Sequence, residues 1–253
     1  MKTVAHLFAG LSLGSIAFLW AFSSQAQIIV GNGGDVIACS ADAAPALKNR
    51  TVLLDRYEAE EINGMTIDLG EGGDGDSYGP MLERVFERVE RFDSSFASIL
   101  RVYVDDFVDN ARFLDDSGLV DVNDSRHVII PHGCEVRQIA IQREPRFSGE
   151  PRYLIDENLF HQLELTDRAM LALHEALYRM ALGSGQVNSL NVRYITGWLS
   201  TKEFDRVVNA ESFRMTMTRA GFLTEFWLDS RLGNYWGLFE CRVPGNRLHF
   251  IPR

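Results

Sequence analysis

The sequence predicts a single, helix-rich α+β domain with a small, mostly antiparallel sheet and a C-terminal β-hairpin. The chain has 253 residues, of which 46% are hydrophobic and 24% are charged, and this is the composition of an ordinary folded protein. Segments with the apolar period of a helix and segments with the period of a strand are both present. The two kinds do not alternate regularly, which favours α+β over a doubly wound α/β fold.

The first 26 residues have the pattern of a secretory signal peptide. Lys2 supplies a positive start, residues 4–22 are mostly apolar, and Ser24 and Ala26 are small residues placed as before a cleavage site. An uncleaved membrane anchor is the alternative, but glycine and serine interruptions favour cleavage. We therefore predict a single globular domain over residues 27–253 that is periplasmic or extracellular and is not an integral membrane protein after processing.

The charge of the predicted mature chain argues against nucleic acid as a partner. The first 26 residues carry one basic and no acidic side chain, so their removal changes the formal charge from −10 to −11. Proteins that bind phosphates by counterion release need a basic face. A chain of this length can bury about 70% of its unfolded surface, so a core without metal or many disulfides is expected.

Two short strands are predicted at the start of the mature chain, over residues 28–30 and 36–38, on either side of a glycine turn at 31–35. The turn does not match a dinucleotide-binding loop, because Val36 stands where the third glycine would fall and no helical pattern follows. We expect a tight turn in which glycine adopts a positive φ.

Three helices are predicted in the first half of the domain. Acidic and spaced apolar residues predict the first over 51–62, which ends at Asn63 and Gly64. Apolar residues at helical spacing predict a second helix over 81–92 and a third over 96–114. We expect the second and third helices to supply much of the core.

The acidic, glycine-rich loop at 68–80 matches a calcium-binding loop only in part. Asp74 and Asp76 fit positions one and three of an EF-hand, but Tyr78 and Val85 replace the oxygen ligands at positions five and twelve. A solvated loop is favoured. A calcium site of another type stays open, because four carboxylates lie close together in the sequence: Asp68, Glu71, Asp74 and Asp76.

In the middle of the domain the spacing of apolar residues changes from that of a helix to that of a strand. Residues 137–143 alternate, with two isoleucines on one face, and predict a strand whose neighbour is 128–130. Thr166 is the predicted N-cap of a helix that is apolar nearly all round over 169–181.

The last predicted elements are a helix and a hairpin. Asn188 or Ser189 is the predicted cap of the helix, which ends near Leu199. Two β-type runs, at 235–243 and 248–251, flank a Pro-Gly-Asn turn and predict the C-terminal hairpin.

The candidate chemical site lies in the middle of the apolar helix, where His174 and Glu175 precede Tyr178 and Arg179 by four residues. In a zincin the same helix reads His-Glu-x-x-His, and two imidazoles bind zinc while the glutamate activates water. Here Tyr178 replaces the second histidine, and a phenol is a poor zinc ligand. A metal set would have to be completed from another element, by one of three histidines: His127, His132 or His161. We therefore assign no metal and no cofactor.

The same residues also have a structural interpretation. Glu175 and Arg179 are spaced for an i,i+4 ion pair, and His174 can bond Tyr178 or a backbone carbonyl. The candidate catalytic residues are His174, Glu175 and Arg179, and whether the chain is an enzyme stays open. The favoured hypothesis is a non-catalytic binding or structural module of the cell envelope. The alternative is a metal-assisted hydrolase that uses His174 and Glu175.

Several motifs together carry a resemblance. They are Gly31-Asn32-Gly33-Gly34-Asp35 with Cys39, Gly133-Cys134-Glu135, Gln138-Ile139-Ala140-Ile141-Gln142-Arg143, His174-Glu175-x-x-Tyr178-Arg179, and Asn188-Ser189 with Val192-Arg193-Tyr194. With them the chain resembles, over most of its mature length, a group of uncharacterised exported proteins of predatory bacteria. The resemblance implies a location in the bacterial envelope and no particular substrate.

The resemblance also implies that residues 188–194 belong to the same site as His174. It makes Tyr178, Asn188 and Arg193 candidate binding residues. The group has Gly-His-x-Asn-Ser after the helix, and here Gln186 stands in place of that histidine. If the histidine is a metal ligand in the group, its replacement weakens a metal site in this chain.

Three cysteines, Cys39, Cys134 and Cys241, lie in a chain predicted to enter an oxidising compartment. The residues alone leave three pairings open. The resemblance implies a Cys39–Cys134 disulfide, and both cysteines lie at predicted short strands beside glycine turns. Cys241 would then be unpaired on the hairpin, as a small buried hydrophobe rather than a reactive nucleophile.

Overall fold

The computed structural model describes residues 30–115, 119, 129–186, 188–206 and 209–222. The predicted signal peptide, the predicted C-terminal hairpin, Cys241 and His127 lie outside these residues. The described part is a helix-rich α+β fold with small, mostly antiparallel sheets, as predicted. No helix in it is long and apolar enough to cross a membrane.

Seven strands and seven α-helices follow one another in this part of the chain, with one π-helix and one 3-10 helix. The order is β1 (Val30–Asn32), β2 (Asp35–Cys39), β3 (Thr51–Leu53), α1 (Leu54–Tyr57), the π-helix (Glu58–Ile62), α2 (Gly79–Glu90), α3 (Ser94–Asn110), β4 (Ala111–Leu114), β5 (Cys134–Gln138), β6 (Ala140–Arg143), β7 (Tyr153–Asp156), α4 (Glu157–Gln162), α5 (Leu165–Gly183), α6 (Leu190–Leu199), the 3-10 helix (Lys202–Arg206) and α7 (Ala210–Arg219).

The strands form two sheets. One has the order β1-β6-β7-β4 and the other β3-β2-β5, and only the β4–β7 pair is parallel. The prediction of one strand over 137–143 is wrong, because the chain passes from one sheet to the other at Ile139. Both faces are buried there, since Gln138 and Gln142 are buried together with the isoleucines. Ile129 and Ile130 are exposed and lie in no strand, so the predicted neighbour is also wrong for them.

The glycine segment is a corner and not a hairpin turn. β1 pairs with β6 while β2 pairs with β5, so residues 30–39 and 134–143 form one antiparallel ribbon that bends between the two sheets. Corners of this kind occur where strands switch sheets. Neither Gly33 nor Gly34 has a positive φ, contrary to the prediction. Glycine is needed for close approach instead: a Cβ on Gly33 would lie 2.5 Å from the Ala140 carbonyl oxygen.

The helix predictions are confirmed in outline and corrected at their ends. The segment predicted as a helix over 51–62 begins as β3, and the helix predicted over 96–114 ends at Asn110, after which β4 pairs with β7. α5 begins at Leu165, before the predicted cap. Ser189, one of the two residues predicted to cap α6, occupies its N-cap position, but its side chain makes no capping hydrogen bond there. Asn188 Oδ1 accepts the Leu190 N–H at 3.2 Å.

Two groups of buried apolar side chains hold these elements together. The main core joins α2, α3, α5 and α6, as expected for α2 and α3. A separate, smaller cluster contains Ile37, Val52, Leu54 and Tyr57. The disulfide between Cys39 and Cys134, which lie directly opposite each other on β2 and β5, packs against this smaller cluster. The predicted pairing is thereby confirmed.

Candidate functional site

The chemistry-bearing side chains lie on α5, which runs through the centre of the fold. Its residues 169–178 are all buried, because α3 and α6 pack against it and β3 contacts its first half. His174 and Glu175 each have 0% of their surface exposed. Polar groups in such a position need partners inside the protein, since an unmatched buried polar group is costly.

His174 is paired with a carboxylate that sequence reasoning did not assign to it. Its Nδ1 lies 2.7 Å from Asp55 Oδ1, and Asp55 is itself fully buried. The Tyr178 ring lies beside the imidazole, with the two ring centroids 6.0 Å apart. Burial lowers the pKa of His174. The Asp55 carboxylate, with a smaller contribution from Glu175, more than offsets the effect of burial, so the pKa is raised to about 8. The Asp55 carboxylate thus favours the protonated form of the imidazole.

Glu175 ties α5 to the bent ribbon. Its Oε1 accepts the Gly34 N–H at 2.7 Å, and its Oε2 accepts Gln142 Nε2 at 2.7 Å. The same Gln142 nitrogen donates to the backbone carbonyl of Glu175 at 2.6 Å. Burial raises the pKa of Glu175, while His174 and these hydrogen bonds oppose the rise. Both carboxylate oxygens are thus used where the chain crosses between the sheets.

Arg179 does not pair with Glu175, and that prediction is wrong. Its guanidinium binds Asp106 on α3 and lies over the Tyr103 ring, 4.5 Å from the centroid. The reason is the direction of each side chain: Glu175 faces the ribbon, while Arg179 faces α3. Asp106 also accepts the hydroxyl of Tyr153 at 3.3 Å, so Arg179 joins a second polar group at this end of α5.

Arg193 lies close to the same centre. It is only 1% exposed, its Nε donates to Glu58 Oε2 at 3.0 Å, and its Nη1 donates to Ser189 Oγ at 2.9 Å. Burial raises the pKa of Glu58, and Arg193 and His174 act against that rise. The charges of Arg193 and Glu58 therefore interact electrostatically with His174. Asn188 accepts the Leu190 N–H just before the first turn of α6.

A third polar contact joins α5 to the chain around α1. Asp167 Oδ1 accepts the Leu53 N–H at 3.1 Å, and its Oδ2 lies 3.1 Å from Arg56 Nη1. We call these three contacts the polar seam, defined by Asp55, Arg56 and Glu58 on one side and Asp167, His174 and Arg193 on the other. The acidic residues of 51–62 served only as a helix signal in the sequence. Their spacing of three places Asp55 and Glu58 on one helix face, but nothing in the sequence indicates which distant residues they contact.

The other candidate metal ligands do not join His174. His161 is exposed on α4 with Glu157 as its neighbour at 3.4 Å, and His132 is exposed before β5. Within the described ranges, no three side chains among His, Cys, Asp and Glu are close enough together to hold a metal ion. This includes the acidic loop, where Asp68 is bound by Arg84 at 3.0 Å and by Arg88 at 3.1 Å.

A shallow surface groove lies on α2 and the preceding loop, away from the seam. It is lined by Leu69, Gly70, Glu71, Pro80, Glu83, Arg84 and Glu87. None of the candidate site residues reaches it. No protein-family model, no curated protein and no solved structure matches this chain.

Proposed function

We propose that this chain is an exported, non-catalytic binding or structural module of the cell envelope, in which the helix with His174 and Glu175 is the scaffold. One observation carries the proposal. Both side chains are fully buried, and His174 Nδ1 and both carboxylate oxygens of Glu175 bind Asp55, Gly34 and Gln142 within the protein. Buried pairs with shifted pKa values serve architecture as well as reaction, and here every neighbour belongs to the fold.

Export is supported by two features. The start of the sequence has the charged, apolar and small-residue pattern of a cleaved signal peptide. The Cys39–Cys134 disulfide belongs to a class of bond that persists in oxidising compartments.

The hydrolase hypothesis meets a geometric difficulty. A general base must reach the proton of its water or substrate, and Glu175 has no exposed surface and both oxygens already bonded. His174 Nε2 has no hydrogen-bond partner among the described residues, but no second and third ligand accompany it there. We therefore keep the scaffold as the proposed role of this helix.

Metal titration combined with substitution tests the proposal. We expect Glu175→Gln to lower the free energy of unfolding by about 1 to 3 kcal/mol, because Gln142 and the new amide would face each other as two donors. Glu157→Gln on the exposed start of α4 is the matched control and should cost less than about 0.5 kcal/mol. Zinc or a chelator should leave the melting temperature of all three proteins unchanged.

Two results would overturn the proposal. One is a stoichiometric metal in protein purified without added metal that is lost on His174→Ala. The other is hydrolysis of a peptide or ester substrate that Glu175→Gln abolishes while the fold stays intact by circular dichroism.

A further inference from the structure

The inference concerns a modification site on the turn after the π-helix, and it goes beyond the proposed function because it does not depend on what the chain binds. Asn63 and Gly64 are both exposed in this turn. An asparagine that precedes glycine loses its side-chain amide in water without an enzyme when the glycine nitrogen attacks the side-chain carbonyl carbon. The attack needs an accessible side chain, an N–H without a hydrogen-bond acceptor, and a backbone that is free to rotate.

The turn leaves the attacking nitrogen free. The N–H of Asn63 donates to the Glu58 carbonyl at 2.9 Å. The N–H of Met65 donates to the Ala59 carbonyl at 2.8 Å. Between them, the Gly64 N–H has no hydrogen-bond acceptor among the described residues. Gly64 has a φ of 61°, and a Cβ there would meet no atom within 4 Å, so nothing packed on this peptide opposes its rotation.

The side chain of Asn63 is also within reach of solvent. Its Nδ2 donates to the Glu58 carbonyl at 2.9 Å, and this hydrogen bond is exposed. Water competes with such a bond, and the exposed end of a helix opens at a low free energy. The amide that is lost in the reaction is therefore not locked in place by the fold.

Asn110 at the end of α3 matches Asn63 in exposure but not in its following residue. Its Nδ2 donates to the Asp106 carbonyl at 3.1 Å, much as Asn63 Nδ2 donates to a carbonyl of its own helix. The next nitrogen belongs to Ala111, which donates to the Phe107 carbonyl and is paired in β4. Asn110 therefore has an accessible side chain without a free attacking nitrogen.

Asn32 has the following glycine but not the free backbone. It pairs with Ile141 in β1, and Gly33 is buried at the corner of the ribbon. A Cβ on Gly33 would lie 2.5 Å from the Ala140 carbonyl oxygen, so the peptide between Asn32 and Gly33 has no room to rotate. Asn63 thus combines features that these two asparagines have only separately.

We propose that Asn63 is a site of spontaneous deamidation. The Gly64 nitrogen forms a bond to Cγ of Asn63, and the bond between Cγ and Nδ2 breaks. Nδ2 leaves as ammonia and takes the proton of the Gly64 N–H. Water then opens the resulting succinimide ring at either of its carbonyl groups, and the product is aspartate or isoaspartate.

The modification changes the end of the π-helix. It removes the donor that Asn63 Nδ2 supplies to the Glu58 carbonyl, and it adds a carboxylate where the carbonyl dipoles of the helix are already negative. Glu60 and Glu61 on the same helix add to the repulsion. Glu58, which binds Arg193 in the polar seam, belongs to this helix, so its attachment is weakened at the end that faces solvent.

Peptide mapping by mass spectrometry on the mature, disulfide-bonded protein tests the proposal. After incubation of the folded protein at mildly alkaline pH, we expect deamidation of Asn63 to be at least about tenfold faster than that of Asn32 or Asn110, because ordered backbone reacts only after local opening. In urea, the rate at Asn32 should approach the rate at Asn63, since both then precede glycine in a free chain. Asn110 should stay slow, because alanine follows it.

Two variants separate the reaction from its effect. Asn63→Gln keeps a side-chain amide but lengthens the side chain, which disfavours ring closure, so modification at this position should be lost. Asn63→Asp carries the charge of the product from the start, and hydrogen exchange at Met65 should become about two- to fivefold faster. Asn110→Asp, which adds the same charge at the end of α3, is the matched control and should leave exchange at Met65 unchanged.

Three outcomes contradict the proposal. The first is an equal rate of deamidation at Asn63 and Asn110 in the folded protein. The second is an acceleration at Asn63 in urea as large as the acceleration at Asn32, which would mean that the fold protects both sites alike. The third is exchange at Met65 in Asn63→Asp that equals the wild type, which would remove the proposed effect on the helix.

Discussion

Replacing Gly33 by alanine tests the close approach at the corner of the ribbon. The new Cβ would lie 2.5 Å from the Ala140 carbonyl oxygen and 2.8 Å from Glu175 Oε1. The first of these atoms is backbone in the paired strand β6 and cannot move without disturbing the ladder. The corner would have to widen, and the Gly34 N–H would move away from Glu175.

The magnitude combines two effects. Overpacking in a close-packed interior costs about 1 to 3 kcal/mol, and a weakened hydrogen bond to a buried carboxylate adds about 1 to 3 kcal/mol. We expect Gly33→Ala to lower the free energy of unfolding by about 3 to 5 kcal/mol. Gly34→Ala should cost less, about 1 to 3 kcal/mol, because its closest contact is the end of the Leu171 side chain at 2.5 Å.

Gly183 in the last turn of α5 is the matched control. A Cβ there would meet no atom within 4 Å, and its φ is not positive. Gly183→Ala should therefore stabilise the protein by up to about 1 kcal/mol through helix propensity. Urea denaturation at constant pH measures all three variants. Equal stability of Gly33→Ala and Gly183→Ala would contradict a close approach at the corner. So would a larger loss of stability in Gly34→Ala than in Gly33→Ala.

Three further predictions follow from the disulfide, the buried titratable groups and the start of the chain. Replacing Cys39 and Cys134 together by serine should lower the free energy of unfolding by up to about 4.7 kcal/mol, the chain-entropy value for a sequence separation of 95. Peptide mapping without reduction verifies the disulfide, and a Cys134–Cys241 link would refute the predicted pairing. Unfolding in urea should require less denaturant at pH 9 than at pH 5.5. The pKa is raised to about 6 for Asp167 and to about 8 for His174, so the folded state loses stability as the pH rises through each of these values. A urea midpoint that rises with pH would contradict this prediction. N-terminal sequencing of exported protein should begin at Gln27, and an intact Met1 would refute cleavage.

Patterns that depend on neighbours in sequence predicted a large part of the fold. α2 and α3 were found because one face of each is apolar at helical spacing and the other is largely exposed, and α6 was found from the polar residues before its first turn. The switch from helix to strand at Ala111 was missed, because β4 depends on its pairing with β7, about 40 residues further along the chain. The division at Ile139 was missed because alternation shows a strand but not the sheet to which it belongs.

The sequence predicted the helix that carries the candidate site but not the partners of its side chains. The helix with His174 and Glu175 was identified from its residue types, and Arg193 came with the resemblance. Their partners were not predicted, because Asp55 lies 119 residues from His174 and Gly34 lies 141 residues from Glu175. No local pattern contains information on such pairs. Arg179 was assigned to Glu175 because spacing along one helix was the sole guide, and spacing does not show which neighbouring element each side chain faces.

The bent ribbon also has a consequence for the kinetics of folding. Its two strands are separated by about 100 residues of chain, so their pairing has a high contact order and must overcome a large loop-closure entropy before any ladder contact forms. An oxidised chain that refolds from denaturant begins with Cys39 and Cys134 already joined at the end of this ladder. A reduced chain has to find that register by diffusion. The disulfide therefore acts on the rate at which the fold is reached as well as on its stability.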